Sequence, residues 1–392
     1  MKLTQPSDYV RVALIAIGSL AGQVFLVAYA QHPAIAEIRR AAYELLVLYP
    51  KTMMRELGRD VTNSVQKDFV SESRAKDLPT QVKDFSQDVL NDLGHLALPE
   101  SLRATHYIVI QLVLLVLLTF FAGLATGNYS QVDKIWSLTP ALFAWTYALL
   151  QPSNVRLSIM AVVISVWAIR LTLNFNRRGG YTWPPWQGEE DYRWKHVMAF
   201  LDADRNRLVW QMFHFGFICL TQNVLLFLIV LPVHFIWYDA LTRVPGPLGE
   251  WDLIASGLVL LLVLGEALTD DAQFLFQETK YAYLAKNKPL PDPYAQGFLS
   301  TGVFALSRHF NYLCEQSIWL VLNLYLYPAT GGRELVTSAG LGFVLLALLF
   351  QGSIWLQEQT TAAKWPLYPE YIQQVPQLLP LGHGFQPKTK TN

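Results

Sequence analysis

The sequence predicts an all-α polytopic membrane protein, a bundle of six to eight transmembrane helices, and three observations point there. Of 392 residues, 52% are hydrophobic and only 15% are charged, whereas soluble domains carry about 25% charged residues. The apolar residues gather into long runs, and a helix needs about 20 mainly apolar residues to cross the hydrocarbon core. Twelve Trp and eighteen Tyr supply amphipathic rings that settle at headgroup level and cap membrane helices. A formal net charge of zero argues against a nucleic-acid partner, because phosphate binding needs a clustered basic excess. The two cysteines, Cys219 and Cys314, build neither a disulfide framework nor a zinc pattern.

Taken in order, the candidate spans are about 10–30, 107–126, 137–151, 157–172, 213–238, 252–275, 316–330 and 337–356. The first reads as a retained helix and not a cleaved signal, since Gln23 and the run past Ala30 extend it. Residues 31–106 hold ten basic and eleven acidic residues, with Val82, Phe85, Val89 and Leu93 at helical spacing, which predicts amphipathic helices. The division is thus an N-terminal helix plus extension over 1–105 and a membrane domain over 106–392. The third and seventh spans are short, so they are tilted, packed under neighbours or re-entrant. Segments 173–210, 279–310 and 357–392 carry thirteen Lys and Arg, against three in loops 152–156, 239–250 and 331–336. The first set therefore faces the cytosol. The tail Lys388-Thr389-Lys390-Thr391-Asn392 is similar to the cytosolic dilysine signal for the endoplasmic reticulum, which agrees with that orientation.

Ionisable residues inside or beside spans are expensive, so each marks a functional candidate. Four groups stand out: Asp133 with Trp136, Arg170 to Trp194, Asp270 to Gln277, and Ser307 to Glu315. All are predicted near cytosolic helix ends and so converge on one cavity. In the last group Arg308 offers a planar fork for phosphate or carboxylate, His309 and Asn311 offer directional hydrogen bonds, and Tyr312 can stack on a flat ring. The competing reading is an amphipathic helix anchored to anionic headgroups. Gly179-Gly180 with Pro184-Pro185 and three nearby tryptophans reads as an interfacial loop or a lid. Eight scattered His, without a His-x-x-His-His cluster, disfavour a di-iron site, and no metal is expected. His214 and His234 read as packing residues.

The run Arg308-His309-Phe310-Asn311-Tyr312 resembles the C-terminal signature of the membrane-bound steroid 5-alpha-reductase-like family. The resemblance extends over roughly 130–380. Asp133-Lys134-Ile135-Trp136 is similar to the Asp-x-x-Trp element of one poorly characterised branch. Trp167 to Asn174 with Arg177 and Gly179 resembles its Trp-x-x-Arg-Leu helix end, and Glu190 to Trp194 its Glu-Asp-x-Arg motif. Asp271-Ala272-Gln273, Tyr368, Tyr371 and Pro376 to Pro380 complete the pattern. A related Arg-His signature occurs in isoprenylcysteine carboxyl methyltransferases. Phe310 stands where Pro is usual and Cys314 where Gly is common. No equivalent of the steroid reductases' early Gln-Glu pair is present.

That resemblance implies NADPH-dependent reduction of a carbon–carbon double bond in a lipophilic, steroid- or isoprenoid-like enone at the endoplasmic reticulum membrane. It implies a cofactor site of Arg170, Asn174, Arg177, Asp191, Arg193, Asp271, Gln273, Arg308, His309, Asn311, Tyr312 and Glu315. Arginines there would neutralise phosphates while carboxylates hold ribose hydroxyls. No Gly-x-Gly-x-x-Gly follows a strand, so helices and loops must build the site. Asp133 and Trp136 are the expected catalytic pair, Asp133 polarising the substrate oxygen if burial keeps it protonated. The alternative for Asp133 is an N-cap or a partner for Lys134. Two other functions remain open: an S-adenosylmethionine-dependent lipid or isoprenyl-cysteine methyltransferase, and a non-catalytic lipid-binding scaffold. Gln357-Glu358-Gln359, in place of paired glutamates, argues against the methyltransferase.

Overall fold

The computed structural model describes residues 100–184, 186–332 and 337–386. The expected span at 10–30, the amphipathic stretch around Val82 to Leu93 and the tail Lys388 to Asn392 lie outside the described residues. Described residues from Leu112 onward form one compact unit, while those up to Gln111 belong to another. The fold is all-helical, with no strand among the described residues. Five helical segments in them are long and apolar enough to cross a membrane.

Helix α1 (Glu100–Thr126) is apolar along most of its length and leads into the short α2 (Gln131–Ile135). Next come α3 (Leu138–Leu150), 13 residues and so shorter than a bilayer crossing, and α4 (Val155–Arg177). Helices α3 and α4 pack as an antiparallel pair, which fits the expected short third span lying against a neighbour. A surface helix α5 (Tyr192–Phe200) follows.

The single span expected at 213–238 divides in two. Helix α6 (Arg207–Phe213) continues through a π-helical stretch, His214–Thr221, into α7 (Gln222–Leu228), and α8 (Leu231–Thr242) starts anew at Pro232. Proline has no N–H to donate and clashes with the preceding turn, so it opens a helix but does not continue one. His214 and His234 are fully buried, His234 meeting the Tyr147 hydroxyl at 2.7 Å.

Helix α9 (Glu250–Ala285) runs for 36 residues, well past a membrane's width. The region expected as a span at 316–330 is instead α10 (Phe310–Val321), a 3-10 turn and the one-turn α11 (Leu326–Ala329). Helices α12 (Leu341–Lys364) and α13 (Tyr368–Gln374) close the chain. Helix α9 packs on both α4 and α10, and α10 also packs on α12. The large apolar side chains still exposed on α1, α4 and α9, such as Leu118, Leu173 and Leu261, form the lipid-facing surface of a membrane protein.

Candidate functional site

A cavity of about 1230 Å³ opens where α4, α9 and α12 end and α10 begins. Its wall is drawn from residues 177–196, 273–281, 297–312 and 357–371, which largely coincide with the three segments of Lys and Arg excess. Of the four groups expected to converge on one cavity, three contribute to this wall and the Asp133 and Trp136 group does not.

The wall mixes cations with rings. Arg177 lies over the Phe274 ring at 4.7 Å and donates to Asn174 Oδ1 at 3.0 Å, with a further ion pair to Asp271. Arg178 is 47% exposed and reaches Asp270 only at 3.7 Å, so most of its donors are free for a ligand. Lys280 is buried, donates to Gly297 O at 2.9 Å and sits 5.3 Å from the Trp365 ring. Gly297 has φ +85, and a Cβ there would come within 1.9 Å of Trp365, so only glycine allows both the turn and the close ring. Tyr312 stacks on His309 at 5.4 Å and donates to Gln357 at 3.2 Å. Burial raises its pKa, opposed by the Arg193 and Arg178 charges, so the phenol keeps its proton.

Of the residues expected to hold a cofactor, Arg177, Gln273, Arg308, His309, Asn311 and Tyr312 line the cavity. Arg308 and His309 do so while partly engaged elsewhere. Arg308 Nε donates to Glu358 at 2.8 Å, and its Nη1 to the carbonyls of Ile372, at 3.0 Å, and Val375. His309 Nε2 lies 2.9 Å from the same Glu358 oxygen. The backbone N–H groups of both residues donate to Pro376 and Gln377. Through Nε and Nη1 this arginine clamps the C-terminal segment onto α10 and α12, which leaves only Nη2 for the cavity.

Arg170, Asn174 and Glu315 sit beneath the wall, in a buried cluster where α4, α9 and α10 meet. Arg170 pairs with Glu266 at 2.8 Å, Asp270 at 2.9 Å and Glu315 at 3.4 Å. Asp270 also accepts from Asn174 at 2.7 Å and from the cavity residue Asn311 at 3.0 Å. Glu315 accepts from the indoles of Trp167 and Trp319 at 2.7 and 3.0 Å.

Asp133, Trp136, Asp191 and Arg193 form a third group. Asp191 caps α5, accepting from Arg193 N at 2.8 Å and Arg193 Nε at 2.7 Å. Arg193 reaches on to Ser353 of α12 at 3.2 Å. Ser130 gathers Asp191 N and Trp194 Nε1 at 2.9 and 3.0 Å. Asp133, on α2, keeps Oδ2 buried without a hydrogen-bond partner, with the Ser130 hydroxyl and Trp194 indole near its carboxyl. Burial first, and then the Asp191 charge, push its pKa up to about 6, with Arg193 opposing, so it is mostly ionised at neutral pH. It is not the N-cap of α2, which is Ser130, and Trp136 is that helix's C-cap. Neither Asp133 nor Trp136 is on the cavity wall. The Gly179 to Glu190 loop is pinned: Glu189 N donates to Gly179 O at 3.0 Å, and Asn128 to Gly188 O at 2.8 Å.

Sequence reasoning passed over Arg178, Lys280, Glu358 and Glu266. Glu266 was legible, as a lone carboxyl in an apolar run one helical turn before Asp270. Arg178 and Glu358 were not, because only the fold shows which arginine is free and which is spent.

Residues 119–375 match the family described as "Protein of unknown function (DUF1295)". An uncharacterized protein of Schizosaccharomyces pombe is 32% identical over 266 residues, covering 65% of this chain and 73% of that protein. No solved structure matches the chain.

Proposed function

The chain belongs to the DUF1295 family, and from that premise we propose that it is a membrane-bound, NADPH-dependent reductase of a lipophilic enone. The observation that carries the reading is the cavity: about 1230 Å³, larger than the usual range of roughly 300–1,000 Å³ for small-molecule sites. Its cationic and aromatic wall stands at the ends of apolar helices. The residues present suit a dinucleotide. Arg178, Lys280 and Lys364 supply positive charge, Tyr281 and Trp365 supply flat faces, and Gln273 and Asn311 supply directional polar groups. The family resemblance of the Arg-His-x-Asn-Tyr run supports the same cofactor.

Bound there, NADPH would supply the hydride for the electron-poor alkene carbon. Reduction also needs a donor at the substrate oxygen, where negative charge develops. Tyr312 is suited to that role: it is on the wall, it keeps its proton, and Arg193 and Arg178 stabilise charge around it. Asp191 holds Arg193 by an ion pair, and the Asp133 charge lies within reach of the same guanidinium. The lipophilic substrate would enter from the bilayer and the cofactor from the cytosol, since the cavity wall uses the basic segments. We place the protein in the endoplasmic reticulum membrane with a cytosolic C-terminus, on the strength of those segments and the dilysine tail.

The test is thermal stabilisation of detergent-purified protein by NADPH, NADH or S-adenosylmethionine, for wild type and Arg178→Ala. Saturable stabilisation by NADPH, weakened in the variant, supports the reductase. Stabilisation by S-adenosylmethionine alone makes it a methyltransferase, and no response to any leaves a lipid-binding scaffold.

A further inference from the structure

The buried cluster under the cavity does not balance its charge. Glu266, Asp270 and Glu315 bring three carboxylates to the single Arg170 guanidinium. The next cation is Arg178, 3.7 Å from Asp270 and half exposed. Three negative charges thus face two positive ones, and the carboxylates on α9 and α10 are buried, with side chains no more than 7% exposed. An uncompensated ionised carboxylate in such a place is very costly.

The hydrogen-bond pattern locates the imbalance. Glu266 Oε1 and Glu315 Oε2 both lie against the same Arg170 nitrogen, at 2.8 and 3.4 Å. Sharing that one nitrogen brings the two carboxyls close together. Glu266 Oε2 is fully buried and no donor faces it. Both Glu315 oxygens, in contrast, accept an indole N–H, which holds Glu315 as the acceptor. Two ionised carboxylates in contact repel, and each can only accept. One proton on Glu266 supplies the missing donor and removes the excess charge in a single step.

We propose that Glu266 and Glu315 form a proton-binding site, holding one proton between them at neutral pH with Glu266 as the donor. The groups facing it from the packed helices are Arg170 on α4, Asp270 on α9, and Trp319 and Cys314 on α10. The ligand is a proton because a metal ion would have to share the site with the Arg170 guanidinium, which already occupies its centre. The site lies one helical turn beyond Asn311, which both lines the cavity and bonds Asp270. A buried acid thereby stands directly below the cavity floor, whatever the cavity binds.

The experiment is infrared spectroscopy of the full chain in detergent at neutral pH, which separates the protonated-carboxyl C=O stretch from the carboxylate bands. Wild type, Glu266→Gln, Glu315→Gln and, as a control, Glu358→Gln are compared. The expected result is one protonated-carboxyl band, absent from both Glu266→Gln and Glu315→Gln and retained in Glu358→Gln. With one glutamate gone, the remaining one and Asp270 face the two cations Arg170 and Arg178, so the charge balances and the remaining glutamate ionises. A wild-type spectrum without that band, or a band that survives in both variants, overturns the proposal. Folding is an independent readout: an amide reproduces the donor of a protonated carboxyl, so Glu266→Gln is expected to melt at the wild-type temperature. Failure of Glu266→Gln to fold would also overturn it. No cofactor or substrate enters either measurement, so the outcome does not depend on the reductase reading.

Discussion

Helices α4 and α9 meet twice through buried arginines, and the two meetings are built to different ends. Near the start of both helices, Arg156 faces Asp252; fourteen residues on in each, about 21 Å along the axis, Arg170 faces Glu266. Arg156 is a closed account. Its Nε and Nη2 hold both oxygens of Asp252 at 2.6 and 3.0 Å, and the remaining donors reach the carbonyls of Gly246 and Pro247 at 3.1 and 2.9 Å. Asp252 in turn caps α9 through Gly249 N at 3.0 Å. At the Arg170 end, Arg170 Nε and Glu266 Oε2 are both buried without a partner, and three carboxylates compete for one guanidinium. Buried ion pairs that only brace a fold have every donor met. Where atoms are left unmet beside a cavity, the arrangement has been kept for chemistry and not for stability.

The largest effect should come from the closed end. Arg156→Ala leaves Asp252 charged, buried and unpaired, which costs roughly 3–5 kcal/mol and should lower the melting temperature sharply while leaving ligand affinity per folded molecule unchanged. Should this variant instead weaken NADPH binding selectively, the division between a structural end and a chemical end would fail. Next is Arg308→Ala, which lies at the cavity but belongs with Arg156 in kind. It strips Glu358 and two carbonyls of their donor, a loss of about 2–3 kcal/mol by the range for charged hydrogen bonds. Melting should therefore fall further than NADPH affinity does. Arg178→Ala should show the converse: a Kd for NADPH raised about 10-fold, equivalent to about 1.4 kcal/mol, with little change in melting, since Arg178 is half exposed and its one ion pair is long.

The membrane class and the helical course were legible because apolar runs long enough to cross a bilayer have few other readings. Boundaries failed where backbone chemistry broke a run that hydropathy left whole. Pro232 splits 213–238, and the stretch after Val321 tightens into a 3-10 turn although it stays apolar. For the site, residue type located the right segments but not the roles within them. Arg177, Arg178 and Arg308 look alike in sequence; Glu358, on a helix 50 positions away from Arg308, decides that the last of them is largely committed to bracing the fold. Glu266 was the opposite case, legible as a single charge inside an otherwise apolar span.

The last test is whether an unmet buried oxygen off the cavity wall carries a cost that can be relieved. Asp133 shares the signature of Glu266, a buried carboxyl oxygen without a hydrogen-bond partner, but lies on α2 outside the spans. Its pKa of about 6 in the fold stands above the ordinary 3.8, so the folded chain holds this proton more tightly than the unfolded chain does. Stability therefore falls as pH rises from about 4 to about 6 and stays lowered above that. Asp133→Asn, which has no such proton, should flatten this part of the stability profile. It should match wild type below pH 4 and exceed it at neutrality by up to about 3 kcal/mol, as read by melting temperature across that range. A variant less stable than wild type at every pH would mean that the Asp133 charge is needed to hold Arg193, and the oxygen would then be a strut like Asp252. The flattened profile would instead make Asp133 a second costly buried acid, of one kind with Glu266.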